Sequence, residues 1–309
     1  MKSRILILSL VLLAACQPVE MDYEYRKTLE ESTPQAGESY TLTLQATKAV
    51  DTKALDLTNN GARLSQYWKS TEKVMVFYKG NFAGTLDVVV PDPASDPKPK
   101  TATLSGKVQI HGLAVDDVLT LMIPGRADEK WDYTGQNGVL TGTSSIEDSF
   151  DFATATVTIN SFEGTTAHTT ADAQFKNQQS IYRFDFKEND ALKAVKWFTV
   201  SSSRNQLVTS RSYTNDAWAS NYGDLTVTLT GDGATSPYVS LRNENNSLED
   251  TYSFLVVGGD NALYSGVKTI TEQNAPNLGN GNFLTSGVTL TKTDLHHTTG
   301  LIGEPDQVL

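Results

Sequence analysis

Tyr40-Thr-Leu-Thr-Leu-Gln45 alternates polar and apolar residues one for one, and the same period returns in Lys73-Val-Met-Val-Phe-Tyr78, Thr101-Ala-Thr-Leu-Ser-Gly-Lys-Val108, Val118-Leu-Thr-Leu-Met-Ile123 and Ala155-Thr-Val-Thr-Ile159. A period of two sends successive side chains to opposite faces of an extended chain, so each run predicts a strand with one face buried. A second set follows in Ser180-Ile-Tyr-Arg-Phe-Asp-Phe186, Lys196-Trp-Phe-Thr-Val200, Leu225-Thr-Val-Thr-Leu229, Tyr252-Ser-Phe-Leu-Val-Val257 and Val288-Thr-Leu-Thr291. Gly, Asn, Asp and Pro break these runs, and no helical segment of crossover length lies between them. That suggests sandwiches in place of a parallel sheet, and predicts an all-β chain. The clearest loop is Pro91-Asp-Pro-Ala-Ser-Asp-Pro-Lys-Pro-Lys100, whose prolines cannot sit in a central strand.

The first residues carry a different message. Lys2 and Arg4 precede an apolar run from Ile5 to Leu13, too short for a membrane-spanning helix of about twenty residues, and so predict an export signal. The run ends in Leu13-Ala-Ala-Cys16, which resembles the lipobox of bacterial lipoproteins and uses the single cysteine of the chain. By that resemblance residues 1–15 are removed and Cys16 is lipidated, each buried methylene adding about 0.8 kcal/mol of membrane affinity. Residues 16–36 are polar and acidic and form a short tether. Glu20, Asp22 and Glu24 weakly resemble a surface-export signal of Bacteroidetes lipoproteins, although plain linkers carry such residues equally often.

Of 309 residues about 290 remain after cleavage, enough for two domains. Their expected limits are 37–175 and 176–309. Residues 1–15 hold two positive charges and no negative ones, so their loss takes the net charge from −11 to −13. That acidity argues against nucleic acid and against an anionic lipid surface as partners. With Cys16 lipidated no thiol remains for disulfides, Cys-based metal sites or nucleophilic catalysis, and stability must come from core packing.

Several segments, in matching order, resemble the fimbrillin-like lipoproteins of Bacteroidales, a family of pilins and pilus-associated proteins. They are Leu42-Thr-Leu-Gln-Ala-Thr-Lys-Ala49, Thr52-Lys-Ala-Leu55, Trp68-Lys-Ser-Thr-Glu-Lys-Val-Met-Val-Phe-Tyr-Lys-Gly80, Asp132-Tyr-Thr-Gly-Gln-Asn-Gly-Val-Leu140, Asp151-Phe-Ala-Thr-Ala-Thr-Val157 and Phe175-Lys-Asn-Gln-Gln-Ser-Ile-Tyr-Arg-Phe184. Beyond about residue 190 the match is one of strand character only. The resemblance implies two tandem transthyretin-like, Greek-key β-sandwiches on an outer-membrane lipoprotein exposed at the cell surface. It also implies a pilus subunit or adhesin whose partners are other fimbrial subunits, joined by β-strand addition. In such pilins a protease removes the first strand, and a strand from the next subunit fills the groove. Here Tyr40, Leu42 and Leu44 are the core face of the candidate removable strand, and the bonds after Lys48 and Lys53 are candidate cuts. The family usually presents arginine at the cut, whereas Arg26 precedes the strand. Residues 283–290 are the candidate donor, because 294–309 is polar and interrupted by Gly and Pro.

Catalytic signals are weak. No Gly-x-Ser-x-Gly, Walker loop or His-Glu-x-x-His occurs, and the chain is expected to be no enzyme and to hold no cofactor. His111 and His168 are isolated, while the adjacent His296 and His297 would face opposite ways in a strand and cannot both bind one metal. Asp116-Asp117 reads as a turn, with calcium as the alternative. A rival function comes from aromatic faces, which stack on sugar rings. Trp68 and Trp197 lead into apolar strands and are expected in the core. Trp218, among loop residues with Tyr213 and Tyr222 nearby, is the candidate glycan- or partner-facing cluster.

Overall fold

A computed structural model describes residues 38–48, 67–92, 94–125, 130–244, 250–269, 281 and 283–293. Cys16, Arg26, Lys53, His296 and His297 lie outside these residues. Nineteen strands and one single-turn helix occur among them. In chain order they are β1 (Glu38–Lys48), β2 (Lys73–Tyr78), β3 (Asn81–Val89), β4 (Thr101–Ile110), β5 (Val118–Ile123), β6 (Lys130–Asp132), α1 (Ile146–Ser149), β7 (Ala153–Glu163), β8 (Thr166–Thr169) and β9 (Ala173–Asn177). The chain continues through β10 (Ser180–Glu188), β11 (Ala191–Leu192), β12 (Val195–Ser202), β13 (Val208–Thr214), β14 (Ala217–Tyr222), β15 (Leu225–Thr228), β16 (Tyr238–Leu241), β17 (Thr251–Gly258), β18 (Leu263–Thr269) and β19 (Phe283–Lys292).

The chain is all-β, and its sheets curl. The first runs β4-β3-β2-β5-β7-β8-β1-β9, and β4 also pairs with β1, so the sheet closes on itself. The second runs β11-β10-β19-β18-β17-β12-β15, with β16 on the other side of β10. The third is a small sheet, β14-β13-β6. Closure leaves the first sheet without free edges, the usual remedy for unpaired backbone groups. Tight two-residue turns do much of the folding back. Asn215 and Asp216, with φ of 53° and 57°, join β13 to β14, and Asn189 and Asp190, with φ of 49° and 64°, join β10 to β11. Asn and Asp tolerate this left-handed region better than other residues with a Cβ. At Gly80 a Cβ would fall 2.0 Å from the Asp216 nitrogen, so glycine lets the tip of the β13–β14 hairpin dock on the β2–β3 turn.

Two apolar cores form. One lies within the first sheet and includes Leu42, Leu44, Val76, Leu86, Leu104, Leu121 and Phe175. The other includes Phe184, Phe186, Phe198, Phe254, Tyr264 and Val288, and it takes in Trp131, Tyr133, Ile146, Phe150 and Phe152 from the connection between β5 and β7. That connection also seals an open seam. The Gln136 carbonyl accepts from Thr228 N on the outer side of β15 at 3.1 Å. Its side-chain amide bonds both backbone groups of Ser240 in β16, Oε1 accepting at 2.7 Å and Nε2 donating at 2.8 Å. One buried glutamine thus stands in for a missing strand. Gln136→Ala strands both Ser240 groups away from water and is expected to lower unfolding free energy by about 1–3 kcal/mol in urea titration.

Trp68 is buried at 2% exposure, but Trp197 is half-buried. A bulge between Val195 and Trp197 resets the register, so Phe198 and Val200 point inward and Trp197 faces outward.

Candidate functional site

The first strand is held on both sides. It pairs antiparallel with β4 from Glu38↔Ile110 to Thr47↔Thr101, and parallel with β8 at Thr41↔Thr166 and with β9 at Ala46↔Ala173. Tyr40, Leu42, Leu44 and Ala46 point into the core, and Tyr40 packs on Phe162 with ring centroids 5.6 Å apart. The opposite face carries Thr43 and Gln45, bonded to Ser105 at 3.0 Å and Thr103 at 2.8 Å.

Lys48 ends this strand, and it is buried rather than solvated. Even-numbered residues face inward from position 40 onward, and Lys48 keeps that parity at 2% exposure. Its ammonium meets Glu72 Oε1 at 2.5 Å and the Tyr67 carbonyl at 3.1 Å, and lies 4.7 Å from the centre of the Trp68 ring. Glu72 Oε2 in turn accepts from Lys69 N at 2.8 Å. Lys69 pairs with Glu147 at 3.0 Å. Asp151 lies in the same field, bonded to Gln179 Nε2 at 3.2 Å. Burial pushes its carboxyl up to about 6, with Lys48 opposing the shift and Glu72 adding to it.

This shift has a sign. An acid that binds its proton more tightly when folded costs nothing below its unfolded value and is most costly above its folded one. The penalty therefore grows between about pH 4 and 6 and is complete at neutral pH, reaching at most about 3 kcal/mol. Asp151→Asn is expected to stabilise the protein by about 1–2 kcal/mol at pH 7.5 and far less at pH 4, read from thermal unfolding at both values.

The aromatic candidates come together, though not in a loop. Trp218 and Tyr222 lie on β14, paired with Tyr213 and Val208 of β13, because the Asn215-Asp216 turn is tight enough to make a hairpin. Trp218 is half-buried, with its ring 4.8 Å from Trp131 and 5.1 Å from Tyr213. The Arg211 guanidinium lies over it at 4.0 Å. Tyr213 continues the contact to Phe77 at 5.6 Å and donates to Asp216 at 3.2 Å. Tyr222, at 43% exposure, is the one of the three that faces solvent. Trp218 and Tyr213 thus serve packing more than they present a platform.

Asp117 accepts from Ala114 N at 2.8 Å and from the Tyr78 hydroxyl at 2.9 Å, and Asp116 occupies a left-handed turn position with φ of 71°. No group of three or more His, Cys, Asp or Glu side chains suited to a metal occurs among the described residues.

Sequence reading missed a buried charge cluster beside the hairpin. Arg211 bonds Ser220 Oγ through Nε at 3.1 Å and Glu244 through Nη2 at 3.3 Å, and Arg242 meets the same carboxylate through Nε at 3.0 Å. Arg242 and Glu244 are two residues apart, but no local pattern adds Arg211 to them, because it lies 33 residues from Glu244. Lys48 did carry a signal, since its parity follows from the alternation beginning at Tyr40.

No family model matches the chain, and no curated protein is similar to it. Among solved structures it is similar to a provisionally named cell adhesion protein from Bacteroides ovatus, at 11% identity over 84% of this chain and 97% of that one, with a TM-score of 0.45. It is also similar to a fimbrial assembly protein from Parabacteroides distasonis, at 11% identity over 81% and 90% of the two chains, with a TM-score of 0.36. The C-terminally truncated tip fimbrial protein of Porphyromonas gingivalis is similar at 11% identity over 76% and 83%, with a TM-score of 0.36.

Proposed function

We propose that this chain is a fimbrillin-like surface lipoprotein that acts, without catalysis, as a pilus subunit or adhesin. It is anchored in the outer membrane through Cys16 and organised as domains 37–175 and 176–309. The observation that carries this reading is β1, a strand near the mature N-terminus that fills an otherwise complete barrel. Its apolar face, Tyr40, Leu42, Leu44 and Ala46, is what a strand from another subunit would have to reproduce. Lys48 bears on the cut. A lysine held by Glu72 and covered by Trp68 is a poor protease site in the folded chain, which favours a cut after Lys53 or none.

The donor side is less well supplied. The candidate donor, β19, lies between β10 and β18, paired with β10 from Ile181↔Phe283 to Lys187↔Thr289. Handing it on would split the second sheet. A subunit that accepts a strand but keeps its own belongs at one end of a pilus, as anchor or minor component. The rival reading, a glycan-binding surface lipoprotein, rests on Tyr222 and the exposed margins of Tyr213 and Trp218.

N-terminal sequencing and mass analysis of the protein released from native cells decide between these. A mature chain starting after Lys53 that runs as a ladder on gels supports strand exchange. An acylated Cys16 on a monomer excludes a stalk pilin and leaves an anchor subunit or a free-standing binding protein.

A further inference from the structure

The outward face of the second sheet is unlike an ordinary protein surface. On β12, β15, β17, β18 and β19 alternate residues point away from the core, and none of those outward positions carries a charge. Register lines them up in rows. Thr228, Trp197, Val257 and Leu263 stand side by side across β15, β12, β17 and β18. The next row is Thr226, Thr199, Leu255, Ser265 and Thr291, in which the Thr199 and Thr226 hydroxyls lie 2.8 Å apart. The third sets Ser201 and Ser253 beside Val267, which at 60% exposure is the most exposed large apolar side chain among the described residues.

Charge returns at the margin, where Arg183, Asp185 and Lys187 of β10 stand beside Thr285, Gly287 and Thr289 of β19. A composition rich in threonine does not explain the gap. The first sheet also turns threonines outward on β1, β4 and β7, yet it places Lys73 opposite Asp87 on β2 and β3 and an exposed Lys107 on β4. A charge-free centre that includes apolar side chains, with charges at its rim, is the composition of an interface.

The chemistry of the face selects what covers it. An open sheet leaves a small molecule mostly in water, since ligand sites are clefts that bury most of the ligand. A nucleic acid, a basic protein or an anionic lipid surface needs charges that the face does not offer. A second copy of this chain fits. The chain carries a formal net charge of −11, so two copies repel each other least where that charge is absent. Hydroxyl groups both donate and accept, so a face of Ser and Thr is complementary to itself when turned about a two-fold axis.

We infer that two copies pack these faces together, sheet on sheet, with Val267 and the Trp197-Val257-Leu263 row at the contact. Area sets the strength. The five strands, about 4.8 Å apart and about seven residues long, cover roughly 24 Å by 23 Å, or about 550 Å² per copy. That is the low end for a specific interface and makes the dimer reversible, with a Kd of about 1–100 μM. The contact uses neither β1 nor Cys16, so it stands or falls independently of the pilus reading.

Sedimentation equilibrium of residues 17–309, which lack only the export signal and the lipidated cysteine, tests this. The average mass is expected to climb from one chain towards two between about 1 and 200 μM. Raising sodium chloride from about 50 to 500 mM is expected to tighten association about twofold or more, by screening the like charges of the two chains. Val267→Glu puts a charge into the contact and is expected to weaken association about tenfold or more. Val89→Glu makes the same change on β3 at a residue of similar exposure, 57%, and is expected to match the parent. Both side chains point into water, so both variants keep the fold, which equal Tm values check. A parent that stays monomeric at about 200 μM overturns the proposal. So does a dimer that Val267→Glu leaves intact, that Val89→Glu weakens as much, or that salt dissociates.

Discussion

A chain that begins at residue 49 is expected to lose the native fold of its first barrel and to recover it when a peptide spanning residues 38–48 is added. Truncation removes Leu42 and Leu44 from the core, each worth about 2–5 kcal/mol when deleted from a packed interior, together with Tyr40 and Ala46. It also reopens a sheet that β1 closes through β4 on one side and β8 and β9 on the other. The combined loss matches or exceeds the whole stability of an ordinary domain, about 5–15 kcal/mol. Near-UV circular dichroism and native-state proteolysis of the truncated chain, with and without peptide, measure the effect. A peptide carrying Asp in place of Leu42 should not rescue it. A truncated chain with undiminished near-UV signal and protease resistance would show that β1 is an appendage and would remove the basis for strand exchange here.

The second large effect is expected at the end of the same strand. Glu72→Gln leaves the Lys48 ammonium buried without its counter-charge, a change that costs about 3–5 kcal/mol in comparable buried pairs. The double replacement Lys48→Met with Glu72→Leu removes both charges and is expected to recover most of the loss, because burying the pair at all cost solvation. Urea unfolding of the parent, the single and the double variant gives the coupling energy directly. A Glu72→Gln variant within about 0.5 kcal/mol of the parent would mean that Tyr67 O, the Trp68 ring and the nearby Asp151 carboxylate hold the ammonium without Glu72.

Much of the architecture is legible in the sequence because it is local. Alternation of Thr with Leu, Val and Ile marks most strands, and Gly, Asn, Asp and Pro mark the breaks between them. The β14 strand is not legible locally, because Ala217 to Tyr222 holds too few branched apolar residues to announce one, and the tight Asn215-Asp216 turn makes it a strand only by pairing it with β13. Its partner, β13, lends it that structure. Other features were hidden because they depend on residues far apart in the chain. Gln136 is an unremarkable residue in a Gly-rich stretch until Ser240 arrives beside it, 104 positions later. The Arg211, Arg242 and Glu244 cluster is likewise made by topology. Trp197 shows the opposite failure, in which a one-residue bulge overrides a clean local pattern.

The pairing of β10 with β19 sets an order of events for the newborn chain. Residues 181–187 wait for residues 283–289 before they gain one of their neighbours in the ladder. Until β19 has emerged from the ribosome, the core of Phe184, Phe186, Phe198 and Phe254 lacks Val288 and Leu290 and stays open to water. Such late closure is slow and leaves sticky surface exposed in the interval, so the second sheet is the part of this protein most in need of a chaperone while it folds.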